Sequence, residues 1–165
     1  MTSRRRDVAL PGQESVWDFP RPPALRPSAD LVEVRFADQL IATTTSSLQV
    51  LETSHPPTYY IPRDAFADGV LVPVQGSTHC EFKGRADYFD VVVGDRVACR
   101  AAWHYPHPDP KYTAILDHVA VMPAMMDSCH VDGELVRPQD GQFYGGWITS
   151  KVSGPFKGSP GTMGW

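Results

Sequence analysis

A chain of 165 residues with 42% hydrophobic residues can bury the core of one domain and is too short for two comfortable ones. Its net charge of −4 excludes the overall basic character of nucleic-acid-binding proteins. No stretch approaches the roughly 20 apolar residues that a membrane span needs. The three cysteines, an odd number in a chain with no apolar segment after its N-terminal arginines, predict reduced thiols and a cytoplasmic location.

The composition changes along the chain and predicts three parts. Residues 1–30 are rich in proline and arginine, which is typical of an extended N-terminal arm. Residues 31–137 carry alternating apolar runs and predict a β-rich core domain. Residues 138–165 combine many glycines with large aromatic side chains that are costly to leave in water. We expect this last part to pack on the core as a C-terminal arm.

The core region predicts a series of short strands joined by tight turns. Strands are expected at residues 31–36, 39–44, 48–51, 58–62, 70–74, 86–93, 96–105, 118–122, 129–131 and 134–136, and a short helix at 111–117. Pro73 cannot donate to a strand ladder, so its strand is expected at a sheet edge. The dipeptides Gly94-Asp95 and Asp132-Gly133 predict hairpins. The fold class is therefore mainly β: a small single-domain β-sandwich or open barrel with one short helix and extended terminal arms.

Strand alternation predicts which faces of the sheet carry the aromatic side chains of two segments, the adjacent tyrosines Tyr59 and Tyr60 and the strand at residues 96–105. Because neighbours on an extended segment point in opposite directions, one of Tyr59 and Tyr60 is expected to face the core and the other a groove. The same alternation predicts Trp103 and Tyr105 on one face of their strand and His104 on the other.

The run from Ser77 to Tyr88 is the most chemically dense stretch of the chain. If it is extended, His79, Glu81 and Lys83 share one face, and Cys80 and Phe82 lie on the other with Thr78. The simplest division puts Cys80 and Phe82 in the core and leaves the charged face to line a surface or a pocket. The alternative is an edge strand whose charged face is simply solvated.

Metal and nucleophile chemistry have little support in the sequence. No two histidines have a metal-ligand spacing and no Cys-x-x-Cys pair occurs, so we expect no metal and no cofactor. Cys80 would need a base from another strand to act as a nucleophile, and a buried, inert thiol is the more common situation.

An aromatic-lined pocket with a few polar groups is the site that the sequence favours. We assign candidate catalytic roles to three residues, namely His79, Lys83 and Tyr60. Candidate ligand-binding roles go to five others, namely Arg63, Cys80, Tyr88, Trp103 and Tyr105. One internal echo, Phe82-Lys83-Gly84 and Phe156-Lys157-Gly158, is too short to be a repeat.

The order of these motifs resembles a bacterial family, domain of unknown function 427. The resemblance covers roughly residues 31–136 and is carried by Pro56-Pro57-Thr58-Tyr59-Tyr60-Ile61-Pro62, by Thr78-His79-Cys80-Glu81-Phe82-Lys83-Gly84, by Trp103-His104-Tyr105-Pro106 and by His118-Val119-Ala120-Val121. It implies a small β domain akin to tent-like folds, without their paired zinc-binding cysteines. The family is sometimes labelled nucleotidyltransferase-like, but the Gly-Ser dipeptide at Gly76-Ser77 has no Asp-x-Asp pair near it.

Three functional hypotheses follow from the sequence. The first is a small-molecule-binding β domain for a polar or anionic molecule, acting as an enzyme if His79 serves as general acid–base. The second is a protein-interaction or oligomerisation module that uses strand edges and terminal arms, with a homodimer as one candidate assembly. The third, which the sequence disfavours, is a nucleotidyltransferase.

Overall fold

The structure of the chain is a computed structural model that describes residues 5–80, 82–141 and 144–165. It is mainly β, with 47% of residues in strands, as the sequence predicts. The strands of the described residues are β1 (Glu14–Ser15), β2 (Ala24–Ser28), β3 (Val32–Phe36), β4 (Gln39–Thr44), β5 (Ser47–Leu51), β6 (Thr58–Pro62), β7 (Leu71–Cys80), β8 (Gly84–Val93), β9 (Arg96–His104), β10 (His118–Val121), β11 (Ser128–Val131), β12 (Glu134–Leu135), β13 (Arg137–Pro138), β14 (Trp147–Ile148) and β15 (Val152–Ser153).

The helices of the same residues are short 3₁₀ segments. They are Val16–Asp18, Arg63–Ala65, Pro110–Ile115 and Pro123–Met125. The longest, Pro110–Ile115, lies where the sequence predicts the short helix at 111–117, and Pro110 at its start suits the first turn of a helix. None of these helices is long and apolar enough to cross a membrane.

Seven strands form the larger sheet, in the order β2-β5-β6-β10-β9-β8-β7. All neighbours in this sheet are antiparallel, and its two outer strands do not pair with each other, so the sheet stays open. The strand with Pro73 lies at one edge, as predicted, and extends to Cys80, although its register with β8 shifts between Pro73 and Ser77. The hairpin predicted at Gly94-Asp95 joins β8 to β9, with Val93 opposite Arg96.

A smaller sheet of four strands, in the order β12-β11-β3-β4, packs against one face of the larger sheet. Its hairpin at Asp132-Gly133 is the predicted one, and both turn residues have positive φ, as this turn requires. The main core lies between the sheets: Val34 of β3 and Val131 of β11 pack with Ile61 and Val119 of the larger sheet. This arrangement supports the predicted sandwich-like architecture.

The larger sheet buries apolar side chains on both faces. Tyr59 and Ile61 belong to the core between the sheets, whereas Tyr60 belongs to a second cluster on the opposite face together with Tyr105 and Ile115. The predicted division of the tyrosine pair is thus confirmed, with Tyr59 facing the core. The second face positions the candidate site.

Both terminal parts are built into the fold. β2 pairs with β5 along its whole length, so the larger sheet begins at Ala24, before the boundary that the sequence predicts at residue 31. Further towards the N-terminus, Val16 and Phe19 are buried, and β1 pairs with β15. In the C-terminal part, Trp147 is fully buried against the ring of Tyr59. Removal of either part would therefore expose core side chains.

Candidate functional site

A cavity of about 650 Å³ opens on the face of the larger sheet that points away from the smaller sheet. Its aromatic walls consist of Tyr60, Phe82, Tyr88, Trp103, Tyr105 and Tyr144. Its cationic side chains are Lys83, Arg100 and Lys157, and the carboxylate among its described lining residues is that of Glu52. Ligand sites commonly have this size and this mixture of apolar walls with a few polar groups.

Strand alternation explains how neighbouring strands fill one wall. Thr78 and Cys80 of β7 stand on the same face, and Ala86 and Tyr88 of β8 stand beside them, with Thr78 opposite Ala86 in the ladder. The hydroxyl groups of Thr78 and Tyr88 are 2.7 Å apart and form a hydrogen bond. Trp103 of β9 follows as the next neighbour, directly opposite Tyr88.

The cavity brings together six of the eight residues that the sequence selects as candidates. These six are Tyr60, Cys80, Lys83, Tyr88, Trp103 and Tyr105. They come from β6, β7, β8, β9, the turn between β7 and β8, and the position that follows β9, so their convergence depends on the order of strands in the sheet.

His79 does not take part in this cavity, and its predicted position beside Lys83 is corrected. It lies on β7 between two lining residues, so its side chain points to the other face and is exposed. Lys83 lies in the turn after β7, where strand alternation no longer applies, and it enters the cavity. The predicted partner on that face, Glu81, lies outside the described residues.

Arg63 also lies elsewhere. It begins the 3₁₀ helix after β6, and its guanidinium carbon lies 5.0 Å from the ring centroid of Phe89, a core residue of the opposite sheet face. Beside it is a shallow depression with Asp64, Asp117 and His118. The expectation that Arg63 contributes to the aromatic pocket is therefore corrected: Tyr60 faces one side of the sheet, and the chain turns Arg63 to the other.

Lys83 brings a positive charge into an aromatic environment. Its ammonium nitrogen lies 5.6 Å from the ring centroid of Tyr105, within the range of a cation–π contact. No carboxylate of the described residues forms an ion pair with it. Burial acts to lower the pKa of Lys83, but Tyr60, Cys80 and the carboxylate of Glu52 together outweigh it and raise the pKa above its ordinary value. Lys83 is therefore charged at neutral pH.

The phenols of the cavity act as neutral hydrogen-bonding groups. The indole nitrogen of Trp103 donates to the hydroxyl oxygen of Tyr60 over 3.1 Å, and the rings of Tyr60 and Tyr105 pack with centroids 6.3 Å apart. Burial raises the pKa of Tyr60 and of Tyr105. Both hydroxyls thus keep their protons at neutral pH and can donate a hydrogen bond, but neither can serve as a base there.

The C-terminal part forms a wall that sequence reasoning missed. Tyr144, Gly145 and Lys157 line the cavity, and a side chain at position 145 would collide with the ring of Trp103. Gln139 stabilises the position of this wall, since its amide nitrogen donates a hydrogen bond of 2.7 Å to the carbonyl oxygen of Lys157. One feature of the sequence could have indicated this wall, namely the repeated tripeptide Phe-Lys-Gly. Its two lysines, Lys83 and Lys157, line the same cavity.

His55 links that wall to the sheet. Its Nδ1 lies 3.2 Å from the side-chain amide nitrogen of Gln139, and its Nε2 lies 3.5 Å from the Glu52 carboxylate. Burial lowers its pKa from 6.5 to about 4, although the charge of Glu52 acts in the opposite direction. His55 is therefore neutral at physiological pH. Glu52 is shared with Arg21, whose guanidinium lies 3.3 Å away.

Metal-binding side chains do not cluster in this region. Among residues 5–80, 82–141 and 144–165, no group of three or more His, Cys, Asp or Glu side chains could hold a metal ion. Cys129 is buried in the main core, where burial raises the pKa of its thiol to about 12, and Cys99 is exposed.

Comparison with known families assigns the chain. The model of the domain of unknown function DUF427 matches residues 24–132, which begin at the first strand of the larger sheet. The match covers more than half of the chain, so the protein belongs to this family, as the motifs indicate. No curated protein matches the sequence.

Proposed function

We propose that this member of the DUF427 family binds a small anionic molecule with a flat, apolar body in the cavity, and that Lys83 holds its acidic group. The observation that carries the proposal is the charged Lys83 among aromatic walls, with no described carboxylate in ion-pair contact with it: Glu52, which lines the same cavity, pairs with Arg21 instead. A cation that has lost much of its hydration favours a counter-charge. An acidic ligand would provide that charge.

The walls suit a flat molecule. Trp103 and Tyr88 are opposite each other on neighbouring strands, and Tyr105 lies under the ammonium of Lys83. Aromatic side chains favour flat apolar partners in stacked or edge-to-face arrangements. The hydroxyl groups of Tyr60 and Tyr105, which stay protonated at neutral pH, are hydrogen-bond donors for an anion.

Binding without acid–base catalysis is the better supported form of this proposal. A general base works best when its pKa lies near the working pH. The pKa of His55, the histidine of the described lining, is only about 4, and His79 faces away from the cavity. Nucleotidyl transfer needs clustered carboxylates to hold its cations, whereas the described lining has Glu52 alone. The three free cysteines of the chain suit a reducing, cytoplasmic location.

A native mass spectrum of the purified protein, followed by calorimetric titration, tests the proposal. The probes are biphenyl-4-carboxylate and its neutral analogue biphenyl-4-carboxamide. We expect Lys83→Met to weaken binding of the carboxylate at least about 10-fold, since a hydrogen bond to a charged group contributes about 1.5–3 kcal/mol. Binding of the amide and the melting temperature should change little.

The matched control is Lys111→Met, because Lys111 is exposed and lies outside the cavity lining. It should bind both probes as the wild type does. Equal binding of the carboxylate by wild type and Lys83→Met would refute the role of Lys83. A large fall in the melting temperature of Lys83→Met would make this lysine a structural residue instead.

A second candidate function is self-association through the edge of the larger sheet. β7 is an outer strand, most of its residues are exposed, and Val72 on it is 41% exposed. Such an edge is a template for pairing with another strand. Light scattering at several protein concentrations would detect a dimer, and Val72→Lys should then weaken it. A monomer at every concentration would dismiss this candidate.

A further inference from the structure

Arg100 has a backbone conformation that is unusual for its position. It lies inside β9, yet its φ is +52°, in the left-handed region that non-glycine residues rarely occupy within strands. The ladder with β8 slips at this point: Phe89 pairs with Ala102, but Val91 pairs with Ala98. Asp90 stabilises the bulge, because its carboxylate accepts a hydrogen bond of 2.7 Å from the backbone nitrogen of Arg100. Conformations of this kind often mark functional positions.

The bulge brings the side chain of Arg100 into the wall of the cavity. Its guanidinium carbon lies 4.4 Å from the ring centroid of Tyr88, and one of its nitrogens donates to the carbonyl oxygen of Gln75 over 3.0 Å. A methyl group at Gly76 would approach this nitrogen to 2.9 Å, so the glycine leaves room for the guanidinium. These contacts hold the group in place with neutral partners.

Arg100 is exposed to solvent, so its guanidinium is accessible to a ligand. No carboxylate in the described part of the chain forms an ion pair with its guanidinium. The nearby Asp90 contacts its backbone nitrogen. Arginine presents several donors in a planar fork that matches the two oxygens of a carboxylate, so the group can bind an acid directly.

Arg100 and Lys83 occupy different parts of the cavity: the guanidinium lies over the ring of Tyr88 and the ammonium over the ring of Tyr105. The guanidinium lies beside Gly76, whereas Lys83 lies near Cys80. Gly76 and Cys80 are four positions apart on β7. At about 3.3 Å per residue of a strand, this separation is about 13 Å. The rings of Tyr88 and Trp103 line the same cavity as the two cationic groups.

We propose that Arg100 is a second anion-binding residue of this cavity and that its ligand is a dianion with an acidic group at each end of a flat, apolar body. The inference rests on the proposed function and extends it to a ligand class. Lys83 holds one acidic group and Arg100 the other. The aromatic walls contact the body between them.

Two probes and two variants test this proposal. The probes are biphenyl-4-carboxylate, with one acidic group, and biphenyl-4,4′-dicarboxylate, with one at each end. In the wild type, the diacid should bind about 10-fold tighter than the monoacid or better, since each further charged hydrogen bond contributes about 1.5–3 kcal/mol. Arg100→Gln should remove this preference, so that the diacid binds no tighter than the monoacid. Arg100→Lys, which keeps the charge but not the planar fork, should retain part of the preference for the diacid.

The matched control is Arg96→Gln. Arg96 lies on the same strand and stacks on an aromatic ring, with its guanidinium carbon 4.8 Å from the ring centroid of Phe36, but it is not part of the cavity. This variant should bind both probes as the wild type does. Calorimetric titration provides the affinities, and thermal melting confirms that each variant is folded.

The outcomes separate the two proposals. If the monoacid binds through Lys83 but the diacid binds no tighter, the second anchor is refuted and the proposed function stands. Equal weakening of both probes by Arg100→Gln also refutes the second anchor, because the effect is then not specific to the second acidic group. If neither probe binds to the wild type, both the proposed function and the dianion fail for flat aromatic acids.

Discussion

Lowering the pH from 7 to 4 should destabilise the fold through His55. Folding lowers the pKa of this histidine from its ordinary 6.5 to about 4, chiefly because it is buried between the sheet and the C-terminal wall. Between these two pH values the unfolded chain binds a proton that the folded chain does not bind. The stabilising contribution is therefore fully present above pH 6.5 and is lost as the pH falls towards 4.

The magnitude follows from the two pKa values. At about 1.4 kcal/mol for each pKa unit, the difference corresponds to about 3.5 kcal/mol of unfolding free energy at most. The side chain of His55 is only 17% exposed, so solvent screens this effect little. The charges that face it are Glu52, which favours protonation, and Lys157, Arg21 and Lys83, which oppose it.

Urea unfolding followed by tryptophan fluorescence at several pH values measures this effect. The wild type should lose stability between pH 6.5 and 4 more steeply than His55→Asn, which cannot titrate but can still accept a hydrogen bond from Gln139. The difference in slope should approach one proton, about 1.4 kcal/mol per pH unit. His107→Gln, a change at an exposed loop histidine, is the control and should follow the wild type. Identical slopes for the wild type and His55→Asn would refute the reasoning.

Two further predictions concern packing and thiol reactivity. Gly145→Ala should lower the unfolding free energy by about 1–3 kcal/mol, because its methyl group collides with the ring of Trp103, and a thermal melt measures this change. An unchanged melting temperature would show that the C-terminal wall can move away freely. Under native conditions, a maleimide should label Cys99, which is exposed, well before Cys129, which is 2% exposed with its pKa raised to about 12 by burial. Peptide mass mapping identifies the labelled thiol, and early labelling of Cys129 would contradict the buried position.

The local elements of the fold could be predicted because their signals lie within a few residues. The hairpin at Asp132-Gly133 follows from turn residues that tolerate positive φ, and the predicted bounds of β4 and β6 agree with the structure. The opposite directions of Tyr59 and Tyr60 follow from strand alternation alone. The prediction at His79 and Lys83 failed because alternation stops where β7 ends at Cys80.

The sequence by itself determined the fold class, the family and most of the aromatic side chains that line the cavity, since these follow from local periodicity and from motif order. Tertiary structure decided the rest. The contact between His55 and Gln139 joins residues 84 positions apart. The direction of the Arg100 side chain depends on a bulge that Asp90 of the neighbouring strand stabilises. Periodicity is a property of the local backbone, whereas the convergence of charged groups on one cavity depends on which strands are neighbours and where their register slips.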